Sequence, residues 1–412
     1  MKLKPSLLAL AAACGATAVS AGELEVTHWW TSGGEAAAVK ELAQAFEADT
    51  GNTWVDGAIA GSGGTARPII ISRILGGDPM GATQMTHGRQ AEELIEAGMM
   101  LDITDVAEAN GWTDVVNPPA LLEACTVDGR IYCAPLNIHS AQWLWLSHKA
   151  FEDAGVAVPA DWTEFTAAAP ALAEAGKQPL AIGQQPWQSN LAFGTISLAV
   201  AGLDAWKAVN IGKDAEVAAG PEYKAAFEAV AAAREMAKGS NVQDWNQATN
   251  MVITGTAGGQ IMGDWAQGEF AMAGKVAGED YSCLPGLGVN AVLDTGGDAI
   301  YFPASDDPEV TAMQKELAAV LLSPGVQVAF NLAKGSLPVR GDIDMSSANA
   351  CMQKGLEILA SGSDSVLPSG DMSLTADTTG QVEDLMAEFW ADDSMSAQEA
   401  QARFAEIIAG AD

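Results

Sequence analysis

A strand, a capped helix and a second strand succeed one another between Leu24 and Ala60, and this run restricts the fold more than any other feature. Leu24, Val26 and His28 alternate with Glu25 and Thr27, the two-residue period of a strand with one buried face. Ser32-Gly-Gly-Glu35 has the spacing of a capping box, with Ser at the N-cap and Glu three residues on. Val39, Leu42 and Phe46 then recur at helical spacing, and Thr50-Gly51 stops the helix. Trp54 to Ala60 reads as the returning strand. A helical crossover of this kind joins parallel strands, so the chain is predicted to be α/β. Ligands of open α/β sheets gather beyond the carboxyl ends of the strands, and Trp29-Trp30 falls at such an end.

A chain of 412 residues is too long for one hydrophobic core, so two lobes are expected. The strand–helix alternation continues to a hairpin around Asp128. Asn137-Ile-His-Ser-Ala-Gln-Trp-Leu-Trp-Leu146 is then an apolar run with polar interruptions, placed where the chain passes between lobes. The expected division is residues 22–138 with 299–340 in the N-terminal lobe, and 139–298 with 341–412 in the C-terminal lobe. Gly61-Ser-Gly-Gly-Thr65 lacks the spacing of a phosphate loop and reads as a turn beside the cleft. Tyr281 to Asp298 reads as irregular and Gly-rich, and Lys334-Gly-Ser-Leu-Pro-Val-Arg340 as a polar turn.

Residues 1–21 have the form of a cleaved secretory signal: Lys2 and Lys4, an apolar Leu7 to Ala13, then Val19-Ser20-Ala21. The expected location is the periplasm. Cys14 follows alanines and is a weak lipidation signal. Removal of the leader takes the net charge from −33 to −35, because only Lys2 and Lys4 are charged there. Such an acidic chain is repelled by phosphate backbones and anionic lipid, which excludes nucleic acid as an expected partner. Four cysteines remain. Cys125 and Cys133 flank Asp128-Gly-Arg130 and face each other if those residues form the hairpin loop, which leaves Cys283 to pair with Cys351. The alternative for Cys283 and Cys351 is a pair of buried free thiols.

Catalytic signals are weak. The four histidines (28, 87, 139 and 148) form no metal-ligand spacing, and no Gly-x-Ser-x-Gly elbow occurs. No cofactor and no metal are expected. Tryptophan is the informative residue: twelve are present against four tyrosines, the reverse of the usual order. Trp29-Trp30, Gln185-Pro-Trp187, Asp244-Trp245 and Asp264-Trp265 all lie in polar or turn surroundings. Flat rings cover the C–H faces of a sugar, and neighbouring amides or charged groups bond its hydroxyl edges. Each Trp taken alone is equally a core residue. Glu35 likewise has two roles open, helix capping and acceptance of hydroxyl protons, and Arg89 and Lys334 are either donors to a ligand or solvated cations.

His28-Trp-Trp-Thr-Ser-Gly-Gly-Glu35, Val158-Pro-Ala-Asp-Trp-Thr-Glu-Phe165, Gly183-Gln-Gln-Pro-Trp-Gln188, Asp244-Trp-Asn-Gln-Ala-Thr249, Met262-Gly-Asp-Trp-Ala-Gln-Gly-Glu-Phe270 and Phe330-Asn-Leu-Ala-Lys-Gly-Ser-Leu-Pro-Val-Arg340 occur in order along nearly the whole chain. Together they resemble the extracellular solute-binding proteins of sugar ABC transporters, most of all the glucose-binding branch. The resemblance implies two α/β lobes with a ligand cleft between them and crossing segments joining them. It implies ligand contacts from Trp29, Trp30, Glu35, Arg89 (where Lys is usual), Trp265, Asp298 and Lys334. His139, Gln185, Trp187 and Trp245 are further candidates. The glucose branch carries a ligand-contacting His in a late loop; here that loop is Val366-Leu-Pro-Ser-Gly-Asp-Met372, with Asp371 as the candidate replacement.

The expected function is periplasmic capture of a monosaccharide, glucose or a close relative, by a monomer that delivers it to a membrane ABC permease, without catalysis. A receptor for a disaccharide, α-glucoside or polyol is the alternative within binding proteins. A secreted glycan-processing enzyme is the alternative of another class, and it requires a close carboxylate pair.

Overall fold

The computed structural model describes residues 21–362 and 365–411, apart from the side chain of Asp371. Cys14 and all of the expected signal sequence except Ala21 lie outside the described residues, as does the replacement role of Asp371's side chain.

The first strand, β1 (Glu23–His28), runs into helix α1 (Gly33–Thr50) and on to β2 (Thr53–Ala58), which pairs parallel with β1. The capping box forms: Ser32 accepts from the Glu35 N–H, and the Glu35 carboxylate accepts from the Ser32 N–H. Gly51 ends α1 at φ 74°, a backbone conformation that glycine adopts at little cost. Helix α2 (Ser62–Leu75) then leads to β3 (Ala82–Thr86), parallel to β1 on its other side. This helix starts inside the Gly-rich stretch read as a turn, so Gly63 and Gly64 form its first turn.

Two sheets define the two lobes. The first has the order Thr53–Ala58, Glu23–His28, Ala82–Thr86, Asp298–Tyr301, Cys133–Pro135, with the last two strands antiparallel to their neighbours. The second has the order Tyr281–Pro285, Trp143–Ser147, Ala257–Met262, Gln178–Ala181. Tyr281–Pro285 is therefore a regular edge strand paired with Trp143–Ser147, not irregular chain. Its glycines come only afterwards, which is why composition alone misplaces its start.

Among the described residues the chain crosses between the lobes three times, and the crossings are bonded to each other. Asn137–Ile138 pairs antiparallel with Leu337–Pro338, and His139 bridges to Gly296. The Lys334–Arg340 stretch is thus a buried crossing rather than a polar turn. Lys334, Ser336, Leu337 and Val339 are each at most 2% exposed. Its polar groups find partners inside: Ser336 donates to Asn331, and the Val339 N–H to Gln327. A buried turn is tolerated only when its backbone and hydroxyl groups are satisfied in this way.

A second junction is made by glycine. Gly34 in the first turn of α1 lies against Gly268 of helix Ala266–Met272; a Cβ on Gly34 would come within 2.6 Å of the Gly268 carbonyl carbon. The same helix supplies Glu269, which accepts from the Gly34 N–H at 2.8 Å and so satisfies one of α1's free donors. Both disulfides form, Cys125–Cys133 and Cys283–Cys351, which removes the free-thiol alternative. The second ties the edge strand of the C-terminal sheet to helix Ala350–Ala360, just past the third crossing. Among the described residues, no single helix is long and apolar enough to cross a membrane.

Candidate functional site

A cavity of about 730 Å³ lies between the lobes. Trp29, Trp30, Glu35, the Gly61–Thr65 stretch and Arg67 line it from the N-terminal side, and Gln185, Trp187, Trp245 and Trp265 from the other. His139, Asp298 and Lys334 on the crossing segments form its floor.

The two adjacent tryptophans have different surroundings. β1 ends at His28, so consecutive residues turn in different directions. Trp30 is only 2% exposed, stacked on His28 and edge-on to Phe330, and reaches the cavity with little of its surface. Trp29 is half-buried, with the Arg67 guanidinium 5.8 Å from its ring centre. The Trp29 N–H donates to Gln84, whose amide donates in turn to Asp298. One ring is therefore mostly core and the other mostly wall.

Glu35 and Lys334 pair at 2.9 Å, with Lys334 almost fully buried and its ammonium 5.7 Å from the Trp30 ring centre. The Glu35 carboxylate thus serves the helix cap, the ion pair and the cavity wall together. A buried pair of this kind adds little stability beyond an apolar equivalent, but losing one partner strands a buried charge.

His139 stands between two carboxylates. Its Nδ1 is 2.7 Å from Asp264, next to the C-terminal sheet, and its Nε2 is 2.7 Å from Asp298, at the start of a strand in the N-terminal sheet. Burial alone would lower its pKa, but Asp298 and Asp264 outweigh burial and push it up to about 9, so the imidazole is cationic at neutral pH. Burial would raise Asp298, yet His139, Lys334 and the Asn137 amide hold its carboxyl well below the usual range. For Asp264 burial wins and the pKa rises. Asp294, on the cavity wall, is pushed up by burial to about 7. His87 is buried beside this network, and burial drives its pKa down to about 4.

On the C-terminal side the rings cluster near helix starts. Trp187 sits one residue into helix Pro186–Val200, and Trp245 opens helix Trp245–Ile253 under a capping box from Asp244 and Gln247. Trp265 lies edge-on to His139 at 4.8 Å and within 6.5 Å of both Trp187 and Trp245. Gln185 accepts from the Trp187 indole N–H and donates to Asp244, so the polar rim is already ordered. Flat faces with fixed donors and acceptors at their edges suit a ring carrying hydroxyl groups.

Of the residues expected at the site, the cavity gathers Trp29, Trp30, Glu35, His139, Gln185, Trp187, Trp245, Trp265, Asp298 and Lys334. Arg89 opens a short 3₁₀ turn, pairs with Glu92 at 3.3 Å and is not among the described residues lining the cavity. Arg67 occupies the wall instead, with its Nε buried and unpartnered. Sequence reasoning passed over Arg67 because it reads as a helix residue; its nearness to the Gly61–Thr65 stretch was the available signal. Among the described residues, no group of three or more His, Cys, Asp or Glu is placed to hold a metal ion.

Residues 30–328 match the family model for bacterial extracellular solute-binding proteins. This chain belongs to that family. A probable sugar-binding periplasmic protein of Rhizobium meliloti is 38% identical over 349 residues, covering 84% of this chain and 83% of the relative. A protein of the same description from Brucella melitensis is 38% identical over 336 residues, covering 81% and 78%. Among solved structures, the bacterial solute receptor AcbH, described as having an exclusive preference for β-D-galactopyranose, superposes with a TM-score of 0.77 at 18% identity, covering 94% of this chain and 97% of its own. That likeness establishes the two-lobe fold of this solute-binding protein. These relatives are binding proteins rather than enzymes.

Proposed function

We propose that this protein captures a monosaccharide ring, that of glucose or a close relative, in the periplasm and presents it to a membrane ABC permease. The observation that carries the reading is the pairing of walls: Trp29 with Arg67 faces the Trp187, Trp245 and Trp265 cluster across a floor of paired charges. Trp29 and Trp265 would cover ring faces, with little of Trp30 in reach, while Glu35, Lys334, Asp298 and His139 would bond hydroxyl edges with groups already held by their partners. The names of the Rhizobium and Brucella relatives support a sugar as the ligand class.

Ligand touching both walls gains contacts only when the lobes are together, so it shifts the population toward the closed form. A micromolar affinity corresponds to roughly −8 kcal/mol, within reach of stacked aromatics and charge-assisted hydrogen bonds net of closure costs. Residues 1–21 would direct export and be removed. The receptor would act as a monomer, without cofactor and without chemical change to the sugar.

A thermal-shift panel tests the reading. Millimolar glucose, galactose or xylose should raise the melting temperature, because a ligand at about 100 times its Kd adds about 2.7 kcal/mol. An amino acid or polyamine that stabilises the protein while no sugar does would overturn it.

A further inference from the structure

Of residues 262–270, Trp265 alone lines the cavity among the described residues. The rest of that stretch builds helix Ala266–Met272, which lies in the chain between strands Ala257–Met262 and Tyr281–Pro285. Both strands are in the C-terminal sheet, so by connectivity the helix belongs to the C-terminal lobe. Its inner face nevertheless rests on the N-terminal lobe. A Cβ on Gly268 would come within 3.1 Å of the Gly34 Cα and 3.2 Å of the Ala333 and Lys334 carbonyl oxygens. Gly34 is in the first turn of α1 and Lys334 ends helix Pro324–Lys334, so a helix of one lobe is seated on the ends of two helices of the other.

No side chain fills this seam. Gly34 and Gly268 are both buried, and a Cβ on Gly34 would meet the Gly268 backbone at 2.6 Å. Glycine weakens a helix relative to alanine, and Gly34 has no positive φ that calls for it. What it supplies is the close approach of the two lobes. The polar contact is also divided between them. Ser32 of the same lobe accepts from the Glu35 N–H, but the Gly34 N–H is satisfied from the far lobe, by Glu269 Oε1 at 2.8 Å. Glu269 Oε2 lies over Gly33, 3.7 Å from where a Cβ would stand. A carboxylate is favourable at a helix N-terminus because the first N–H groups lack partners within the helix and the dipole is positive there. Beside this bond, Gln267 donates to the Gly335 carbonyl at 2.7 Å, at the start of the third crossing.

We propose that Glu269 and the Gly34–Gly268 seam form a closure latch: the C-terminal lobe completes the cap of α1 only when the lobes are together, so Glu269 raises ligand affinity without touching the ligand. The closed form is the one that holds ligand on both walls, and a contact made only in that form raises its population and with it the apparent affinity.

Small-angle scattering and isothermal titration of the exported protein test the latch, with the tightest-binding of glucose, galactose and xylose as titrant. Only the choice of titrant depends on the sugar reading above. Glu269→Ala should enlarge the radius of gyration of the ligand-free protein and weaken binding about three- to tenfold, the effect of one charged cap. Gly34→Ala should weaken binding about tenfold or more, because the added methyl group holds the lobes apart. Glu269→Gln keeps an acceptor for the Gly34 N–H and should recover most of the affinity. The melting temperature of each ligand-free variant should stay within about 2 °C of the unaltered protein, since water satisfies α1 once the lobes part. A merely structural role would lower melting temperature and affinity together, and that result overturns the latch. Variants that bind and scatter as the unaltered protein does overturn it as well. If Gly34→Ala does not fold, the two Glu269 variants carry the test. If no sugar binds even the unaltered protein, the sugar reading falls and scattering decides alone: an unchanged radius of gyration in Glu269→Ala overturns the latch.

Discussion

The two walls of the cleft present the same kind of residue under different constraints. On the N-terminal side Trp30 is packed into the lobe core, and Glu35 is bound to both a helix cap and the buried Lys334. Trp187 and Trp265 on the C-terminal side are half-buried, touch mainly other rings and carry no ion pair. Mutations on the first wall should therefore confuse folding with binding, whereas mutations on the second should separate them. Aromatic content by itself does not tell the two situations apart; what each ring rests on does.

The strongest challenge to this contrast is Lys334→Ala. It leaves Glu35 buried and unpaired, and should cost about 3–5 kcal/mol in chemical denaturation along with ligand binding. A loss below about 1 kcal/mol would show that water reaches Glu35 and that the N-terminal wall is not integral to the core.

Trp30→Ala and Trp265→Ala compare the walls directly. The first should cost about 3–5 kcal/mol, as expected of a large buried ring, with binding lost as a consequence. Trp265→Ala should cost roughly 1–2 kcal/mol and still weaken sugar affinity by about tenfold or more. Equal stability losses in the two variants would dissolve the distinction.

The floor that joins the walls has a pH signature. His139 has a folded pKa of about 9 against 6.5 for the unfolded chain, so its contribution is fully present below pH 6.5 and is lost as pH rises through about 9. Stability should fall by about 3 kcal/mol across that window, and His139→Asn should flatten the slope. Asp298 acts in the opposite sense, its depressed pKa adding stability that is lost as pH falls into the acid range.

Arg67→Gln should have the smallest effect on folding, within about 0.5 kcal/mol by denaturation, because no ion pair is broken. Affinity should nevertheless drop several-fold, which titration would detect. An unchanged affinity would remove Arg67 from the binding wall and leave Trp29 to act without it.

Much of the site was legible before the fold. The alternation at Leu24–His28 and the capping box at Ser32–Glu35 placed Trp29 and Trp30 at a strand end, because both signals are local and depend only on spacing. Arg89 lies in the expected stretch, and its side chain pairs with Glu92 three residues on, a contact that motif position does not give. Arg67 reaches the cleft from a helix whose start lay inside a Gly-rich run. Lys334 looked like part of a polar turn because its partner, Glu35, lies 299 residues away in the chain.

By itself the sequence determined the parallel strand–helix–strand start, the two-lobe scale of the chain, the facing of Cys125 and Cys133 across a hairpin and the tryptophan-rich character of the cleft. Each follows from local periodicity, length or composition. Only the tertiary structure decided that Trp30 is core while Trp29 is wall, that His139 spans Asp264 and Asp298, and that Cys283 bonds Cys351. Those properties arise from burial and charge pairing between distant segments, which no local pattern in the chain encodes.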